Sequence, residues 1–409
     1  MKEPGSRRQA RHGTAGTYSA AGTYSPDPEG RDLIEEIRAG VLSGGVPVTG
    51  ATLADAVFSS GRLLGSEGGR LAVDRVRADL QGLGPLQPLL QPGVTDILVN
   101  GPNQVWTDSG QGLERSNVRF STDSEVQALA TRLIAAGGRR LDDSCPCADV
   151  QLNGYRVHAV LPPVSTGATL LSIRLRSPRS FRLEELEAGG MLTEGLAEVL
   201  RKMVTGRLNF LISGATGTGK TTLLSALLSL CGPAERLVLI EDAAELDPVH
   251  PHVVGLQTRH SNIERAGSVD LADLVRQAMR MRPDRLVVGE CRGAEVRELL
   301  AAMNTGHDGA GGTIHANSAS TVPARLAALG ALAGMSGRAL ALQAAGALDA
   351  VVHLERSPAG RRVAEIAVLS SNGGELSAVT ALTRGPRGMS RHPGWEQLQE
   401  RLGAGGGSI

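Results

Sequence analysis

The stretch from Leu208 to Cys231 constrains this chain more than any other. Leu208, Phe210, Leu211 and Ile212 form a short apolar run, the pattern of a strand buried on both faces. It leads into Ser213-Gly214-Ala215-Thr216-Gly217-Thr218-Gly219-Lys220-Thr221-Thr222, after which Leu223, Leu224, Leu227, Leu228 and Cys231 recur at helical spacing. Strand, glycine-rich loop and helix follow in that order, and the loop fits G-x-x-x-x-G-K-[ST] throughout. Gly214, Gly217 and Gly219 permit positive φ, so successive backbone N–H groups turn toward one anion, and the helix N-terminus adds its own. Lys220 is of a type and position to reach outer phosphates, and Thr221 to bind Mg²⁺ through its hydroxyl. The stretch predicts a nucleoside triphosphate site in which Gly214, Ala215, Thr216, Gly217, Thr218, Gly219, Lys220, Thr221 and Thr222 hold the nucleotide.

Three further stretches fall where a phosphate-hydrolysing site needs them. Leu237-Val238-Leu239-Ile240 reads as a buried strand ending in Glu241-Asp242-Ala243-Ala244-Glu245. Carboxylates at a strand's carboxyl end face the sheet edge where nucleotides bind. Leu286-Val287-Val288-Gly289-Glu290 is a second such strand, but Gly289 stands where a Walker B strand carries the metal-binding aspartate. Glu290 is the expected residue to orient or deprotonate the attacking water, and Glu290 and Glu241 are expected to reach the metal through water. In Thr305-Gly306-His307-Asp308-Gly309-Ala310-Gly311-Gly312-Thr313-Ile314-His315-Ala316-Asn317-Ser318, His307 and His315 frame a glycine-rich turn. That arrangement reads as a sensor of the terminal phosphate.

Residues 1–30 contain almost nothing to bury and are expected to be a disordered tail, followed by a helical segment over 31–90. Residues 91–178 read as a small α+β domain. Alternating apolar residues flank Asn153-Gly154, a two-residue hairpin turn, and Arg139, Arg140, Arg156 and Arg174 lie near strand ends. Residues 179–192 are expected to be a linker. From 193 to 370 strands alternate with helices, which predicts an α/β domain with a mostly parallel sheet covered on both faces. Residues 371–409 return to Gly, Ser, Pro and Arg and read as a flexible tail.

The 42 basic residues balance the 42 acidic ones, and aromatics make up 2% of the chain. Both facts make direct nucleic-acid binding an unfavoured role, since there is neither a basic excess nor a base-stacking platform. The four cysteines, Cys145, Cys147, Cys231 and Cys291, supply no disulfide framework for this length. No apolar run of about 20 residues occurs and no secretory signal is expected. The expectation is a cytoplasmic protein that meets a membrane only through partners.

The order of motifs, P-loop, E-D-A-A-E-L, R-P-D-R-L-V-V-G-E-C-R and T-G-H-D-G…T-I-H-A-N-S, resembles the type II/type IV secretion ATPase superfamily. Within it the likeness is to the CpaF/TadA branch of tight-adherence pilus ATPases, over roughly 85–370. Asn100-Gly101-Pro102 and Arg156-Val157-His158-Ala159-Val160-Leu161-Pro162-Pro163 also match family segments. The resemblance implies a RecA-like P-loop domain preceded by a smaller PAS-like α+β domain, with ATP and Mg²⁺ as cofactors. It further implies a hexameric ring, polytopic inner-membrane platform proteins as partners, and Arg156 and Arg174 (Arg140 less so) closing onto the phosphates. Glu290 carries over as the catalytic glutamate, Glu241 and Glu245 as Asp-box acids, and His307 and His315 as the His-box pair. The chain lacks the tetracysteine zinc module of the type II exporters. The expected function is an ATP-hydrolysing motor for pilus assembly or export. A conjugal DNA-transfer motor of the same superfamily is the alternative, and a nucleotide-gated scaffold with little turnover is the second.

Overall fold

The computed structural model describes residues 80–404, apart from 111, 153, 176–179, 260–266, 358, 359, 386 and 387, and a few positions between 53 and 78. The tail expected over 1–30 and most of the helical segment expected over 31–90 lie outside the described residues. The chain divides into two compact units, Met1–Ser177 and Pro178–Ile409.

The first unit contains β1 (Asp96–Asn100), β2 (Val105–Asp108), β3 (Leu113–Arg115), α1 (Asp123–Ala136), β4 (Cys147–Leu152), β5 (Tyr155–Val160) and β6 (Leu170–Leu175). The strands form one antiparallel sheet in the order β3-β2-β1-β6-β5-β4. Successive strand side chains point to opposite faces. Ile97, Val99, Val157, Ala159, Leu171 and Ile173 are therefore buried together, in one core with Val126, Leu129, Ala130, Leu133 and Ile134 of α1. Thr122 caps α1 by accepting from the Glu125 amide at 3.3 Å. Asp123 fastens the start of the helix to the sheet, accepting from the Thr169 amide at 2.9 Å and its hydroxyl at 3.0 Å. Leu152 pairs with Tyr155, so β4 and β5 are paired up to the residues on either side of 153–154.

The second unit begins with α2 (Leu183–Ala188) and α3 (Glu194–Thr205). Then come β7 (Phe210–Gly214), α4 (Lys220–Leu228), β8 (Leu237–Glu241), β9 (Val253–Gln257), α5 (Leu271–Ala278) and β10 (Arg285–Cys291). After α6 (Glu295–Met303) follow β11 (Gly311–Ile314), α7 (Val322–Leu332), α8 (Gly337–Ala347), β12 (Ala350–Ser357), β13 (Gly360–Asn372), β14 (Glu375–Gly385), β15 (Gly388–Arg391) and α9 (Trp395–Ala404). Nine strands form one sheet in the order β15-β14-β13-β12-β7-β11-β10-β8-β9. β12, β7, β11, β10, β8 and β9 run parallel, and β13, β14 and β15 extend the sheet antiparallel. The apolar runs are continuous because both faces are covered. Phe210, Ile212, Leu239 and Val352 pack with α2, α3 and α4 on one face. Leu211, Val238, Ile240, Val288 and Val351 pack with α5, α6, α7 and α8 on the other.

Two expectations about organisation are corrected. The stretch expected as a linker over 179–192 contains α2, and Leu183, Leu186, Met191 and Leu192 are buried in the core of the second unit. The stretch expected as a flexible tail over 371–409 contains β14, β15 and α9, with Ala381, Leu382 and Leu398 buried. The other described residues of β14 and β15 are partly or fully exposed, so their composition reads as loop although the backbone is paired.

Candidate active site

All parallel strands present their carboxyl ends to one edge of the sheet, and the phosphate-binding loop leaves β7 there. Gly214, Gly217 and Gly219 adopt φ of +152°, +74° and +94°. At Gly214 space is short as well, since a β-carbon would lie 2.6 Å from the Leu354 carbonyl oxygen and 2.8 Å from Thr218 Oγ1. Thr218 donates to the Ala215 carbonyl at 2.8 Å and braces the loop from within. Gly219 caps α4, and Thr221 and Thr222 are half-buried in its first turn. The buried Lys220 ammonium donates to the carbonyls of Gly214 at 3.0 Å and Ala215 at 2.9 Å.

His315 follows β11 and Glu290 lies near the end of β10, at the same edge. His315 Nδ1 is 3.5 Å from Lys220 Nζ, and His315 Nε2 is 3.0 Å from Glu290 Oε1. Burial, and then the Lys220 charge, lower the pKa of His315 below the ordinary histidine value, against the opposing pull of Glu290. A neutral ring that donates from Nε2 to Glu290 and accepts at Nδ1 from Lys220 satisfies both contacts. Loop lysine, histidine and carboxylate thus form one continuous line.

Glu241 is buried, and its Oε1 accepts from the amides of Glu245 at 3.0 Å and Leu246 at 2.9 Å. A β-carbon at Gly289 would lie 2.7 Å from Glu241 Cγ. The glycine that interrupts the usual Walker B pattern is therefore the room that Glu241 occupies. Restoring an aspartate by Gly289→Asp is expected to destabilise the fold by about 1–3 kcal/mol through overpacking and to reduce turnover, read by urea unfolding and phosphate release. Thr313 Oγ1 donates to the Gly289 carbonyl at 2.6 Å and holds β10 against β11 there. Gly312 permits that approach, since a β-carbon would lie 2.8 Å from the Val288 carbonyl.

The other acids of this edge differ in surroundings. Asp242 is paired with Arg292 and accepts from Thr258 Oγ1 at 3.2 Å, while the Glu245 side chain is exposed. His307 requires a correction. It precedes β11, its Nδ1 is 3.2 Å from the Ala302 carbonyl at the end of α6, and the neighbouring Asp308 carbonyl accepts from Arg207 at 3.2 Å. Arg207 precedes β7, so His307 lies at the amino-terminal edge of the sheet, opposite the phosphate-binding loop. A five-residue strand at about 3.3 Å per residue separates those edges. Within one chain His315 stands at the loop without His307.

In the first unit, Arg156 and Arg174 are direct cross-strand partners on β5 and β6. Their neighbours Val157 and Ile173 face α1, so both arginines lie on the opposite face of the sheet. Asp149 holds Arg156 through two parallel contacts at 3.0 and 3.1 Å, whereas Arg174 is exposed. Arg140 pairs with Asp142.

Sequence reasoning missed His353. It is buried on β12, and its Nδ1 is 2.9 Å from the Ser213 hydroxyl, one residue before the loop. Burial lowers its pKa below the ordinary histidine value, and the neutral ring props the end of β7. A single histidine inside the apolar run Val351–Leu354 was the available signal.

The residues fit a magnesium–nucleoside triphosphate. The loop offers positive-φ glycines, a buried ammonium and a helix N-terminus to the phosphates. Thr221 could supply a hydroxyl, and Glu290 and Glu241 carboxylates at the same edge, to a hydrated Mg²⁺ held with the phosphates. Among the described residues no helix is long and apolar enough to cross a membrane.

Comparison with known proteins agrees with this geometry. Residues 79–380 match the family described as "Type II/IV secretion system protein". The chain is 52% identical over 324 residues to "Putative conjugal transfer protein Rv3659c" of Mycobacterium tuberculosis, covering 77% of this chain and 92% of that protein. It is 34% identical over 280 residues to "Conjugal transfer protein TrbB" of Rhizobium radiobacter, covering 67% and 83%. The crystal structure of the pilus retraction motor PilT with bound ADP shares the fold, with a TM-score of 0.51 at 19% identity, over 71% of this chain and 83% of that one. These likenesses support the superfamily rather than its tight-adherence branch in particular. With a family match over more than half its length, and two units of which the second has the RecA-like P-loop fold, this chain belongs to the type II/IV secretion system protein family and is an ATPase.

Proposed function

We propose that the chain is a cytoplasmic motor that couples ATP hydrolysis to conjugal transfer, working as a homo-oligomeric ring against membrane-embedded platform proteins. The observation that carries the motor reading is the line from Lys220 through His315 to Glu290, which ties the phosphate-binding loop to a carboxylate at the strand edge. In this reading Lys220 exchanges its loop carbonyls for the outer phosphates, and Thr221 binds the metal that neutralises them. Glu290 orients and deprotonates the attacking water, and His315 fixes the direction of that carboxylate. Glu241 would help hold the metal through water, while its Oε1 shapes the loop at 242–246. The first unit is read as PAS-like, and its Arg156 and Arg174 are the arginines whose charge would offset that of a transferred phosphoryl group.

The named relatives favour conjugal transfer over pilus assembly as the process served. Pilus assembly or export remains the second reading, carried by the motif order and the fold shared with a pilus motor. Replacing the resident copy with Lys220→Ala in its own host separates them. DNA transfer to recipients falls to background with surface pilin unchanged if the proposal holds. Loss of surface pilin with normal transfer would move the assignment to pilus assembly, and no change in either would contradict a motor role in both.

A further inference from the structure

We propose that Arg361, together with Met191, forms the subsite for the nucleoside end of the bound nucleotide. This deepens the ATP reading of the loop at 214–222 and rests on it. The sheet order places β11 and β10 on one side of β7 and β12 on the other. Glu290 and His315 therefore fix the terminal phosphate toward the β11–β10 side. A linear triphosphate gripped by the loop in that direction sends its ribose and base toward β12.

β12 reaches past the loop on that side. Leu354 is in register with Gly214, so Glu355, Arg356 and Ser357 run beyond the end of β7, and β13 returns through Gly360, Arg361 and Arg362. Leu354 and Val363 are a cross-strand pair in the core on the α4 face. Arg356 and Arg361 are the next pair on that same face, while Arg362 is bound to Glu355 on the other.

Arg361 also borders the space beside Gly219 of the loop. A β-carbon on Gly219 would lie 2.9 Å from the Met191 methyl and 3.6 Å from Arg361 Cδ. Met191 is held from behind, for its carbonyl accepts from the Val363 amide at 3.0 Å and from Arg384 at 3.1 Å. Arg384 also donates to the Gly190 carbonyl at 3.0 Å, so the β13–β14 extension fixes the segment that presents the thioether. A planar guanidinium stacks on an aromatic ring, and a flexible thioether packs at a ring edge. Together they suit a purine nucleoside leaving the loop beside α4.

The test is equilibrium binding of ADP and of inorganic tripolyphosphate to the full chain, in wild type and in Arg361→Ala. The variant is expected to weaken ADP by about tenfold and leave tripolyphosphate unchanged, and Arg361→Lys, which keeps charge but loses the plane, falls between. Unchanged ADP affinity, or an equal loss for tripolyphosphate, overturns the subsite. Lys220→Ala separates this from failure of the parent reading. If wild type binds neither compound, or Lys220→Ala leaves both affinities intact, the loop is not a nucleotide site and the subsite falls with it.

Discussion

Glu290→Gln is expected to reduce phosphate release from ATP by about a hundredfold or more while ATP still binds. The substitution keeps the size and hydrogen-bonding reach of the side chain, so His315 Nε2 still finds an acceptor at the position now 3.0 Å away. What it removes is the group able to take the proton of the attacking water. Binding survives because the loop, the Lys220 ammonium and the start of α4 hold the phosphates without Glu290. Measuring ATP affinity and single-turnover hydrolysis on the same preparation separates the two effects. Undiminished turnover would remove Glu290 from its role.

The second large effect belongs to His315. His315→Ala is expected to lower turnover about ten- to a hundredfold by freeing Glu290 from its fixed direction. It also carries a pH signature. Burial and the Lys220 charge hold the pKa of His315 below the ordinary histidine value, so the ring stays neutral at neutral pH. Turnover dependent on the neutral ring is full at and above that ordinary value and falls as pH drops through the depressed one. The sign for stability is the same. The unfolded chain binds the proton first as pH falls, so the contribution of the neutral ring is present above the ordinary value and is lost below it. In His315→Ala the corresponding limb of the pH–rate profile should disappear. A profile that keeps its acid limb would assign that limb to another group.

These effects trace to residues that differed in how openly the sequence displayed them. The stretch from Leu208 to Cys231 was legible because each local signal agreed: a fully buried strand, glycines at turn positions and an apolar helix period. The place of Glu290 after the apolar run Leu286–Val288, near the end of β10, was legible for the same reason. Gly289 reads as a lost aspartate in sequence, and only packing reveals that Glu241 fills the space its β-carbon would take. His307 and His315 look equivalent around a glycine-rich segment. Gly311-Gly312-Thr313-Ile314 is a buried central strand, and it carries the two histidines to opposite edges of the sheet. Glycine there serves close approach between strands, which composition alone cannot distinguish from a turn.

The same limit hid the last part of the fold. β14 alternates weakly on a partly exposed edge, and Ala381 and Leu382 are its buried residues, so its sequence resembles loop. Yet Arg384 on that strand fixes the segment carrying Met191 beside the phosphate-binding loop. The stretch from 183 to 192 offered few apolar residues, and all four of Leu183, Leu186, Met191 and Leu192 are buried. Contacts of this kind join residues far apart in the chain, and no period or spacing announces them.

The central claim is that this edge of the second unit hydrolyses ATP with Lys220 on the phosphates. Phosphate release by the purified wild-type chain with Mg²⁺ and ATP, measured beside Lys220→Ala, tests it most directly. Mg²⁺-dependent release by wild type is expected, with none above background from the variant. Equal release by both, or none by wild type under conditions where it binds ATP, would contradict it.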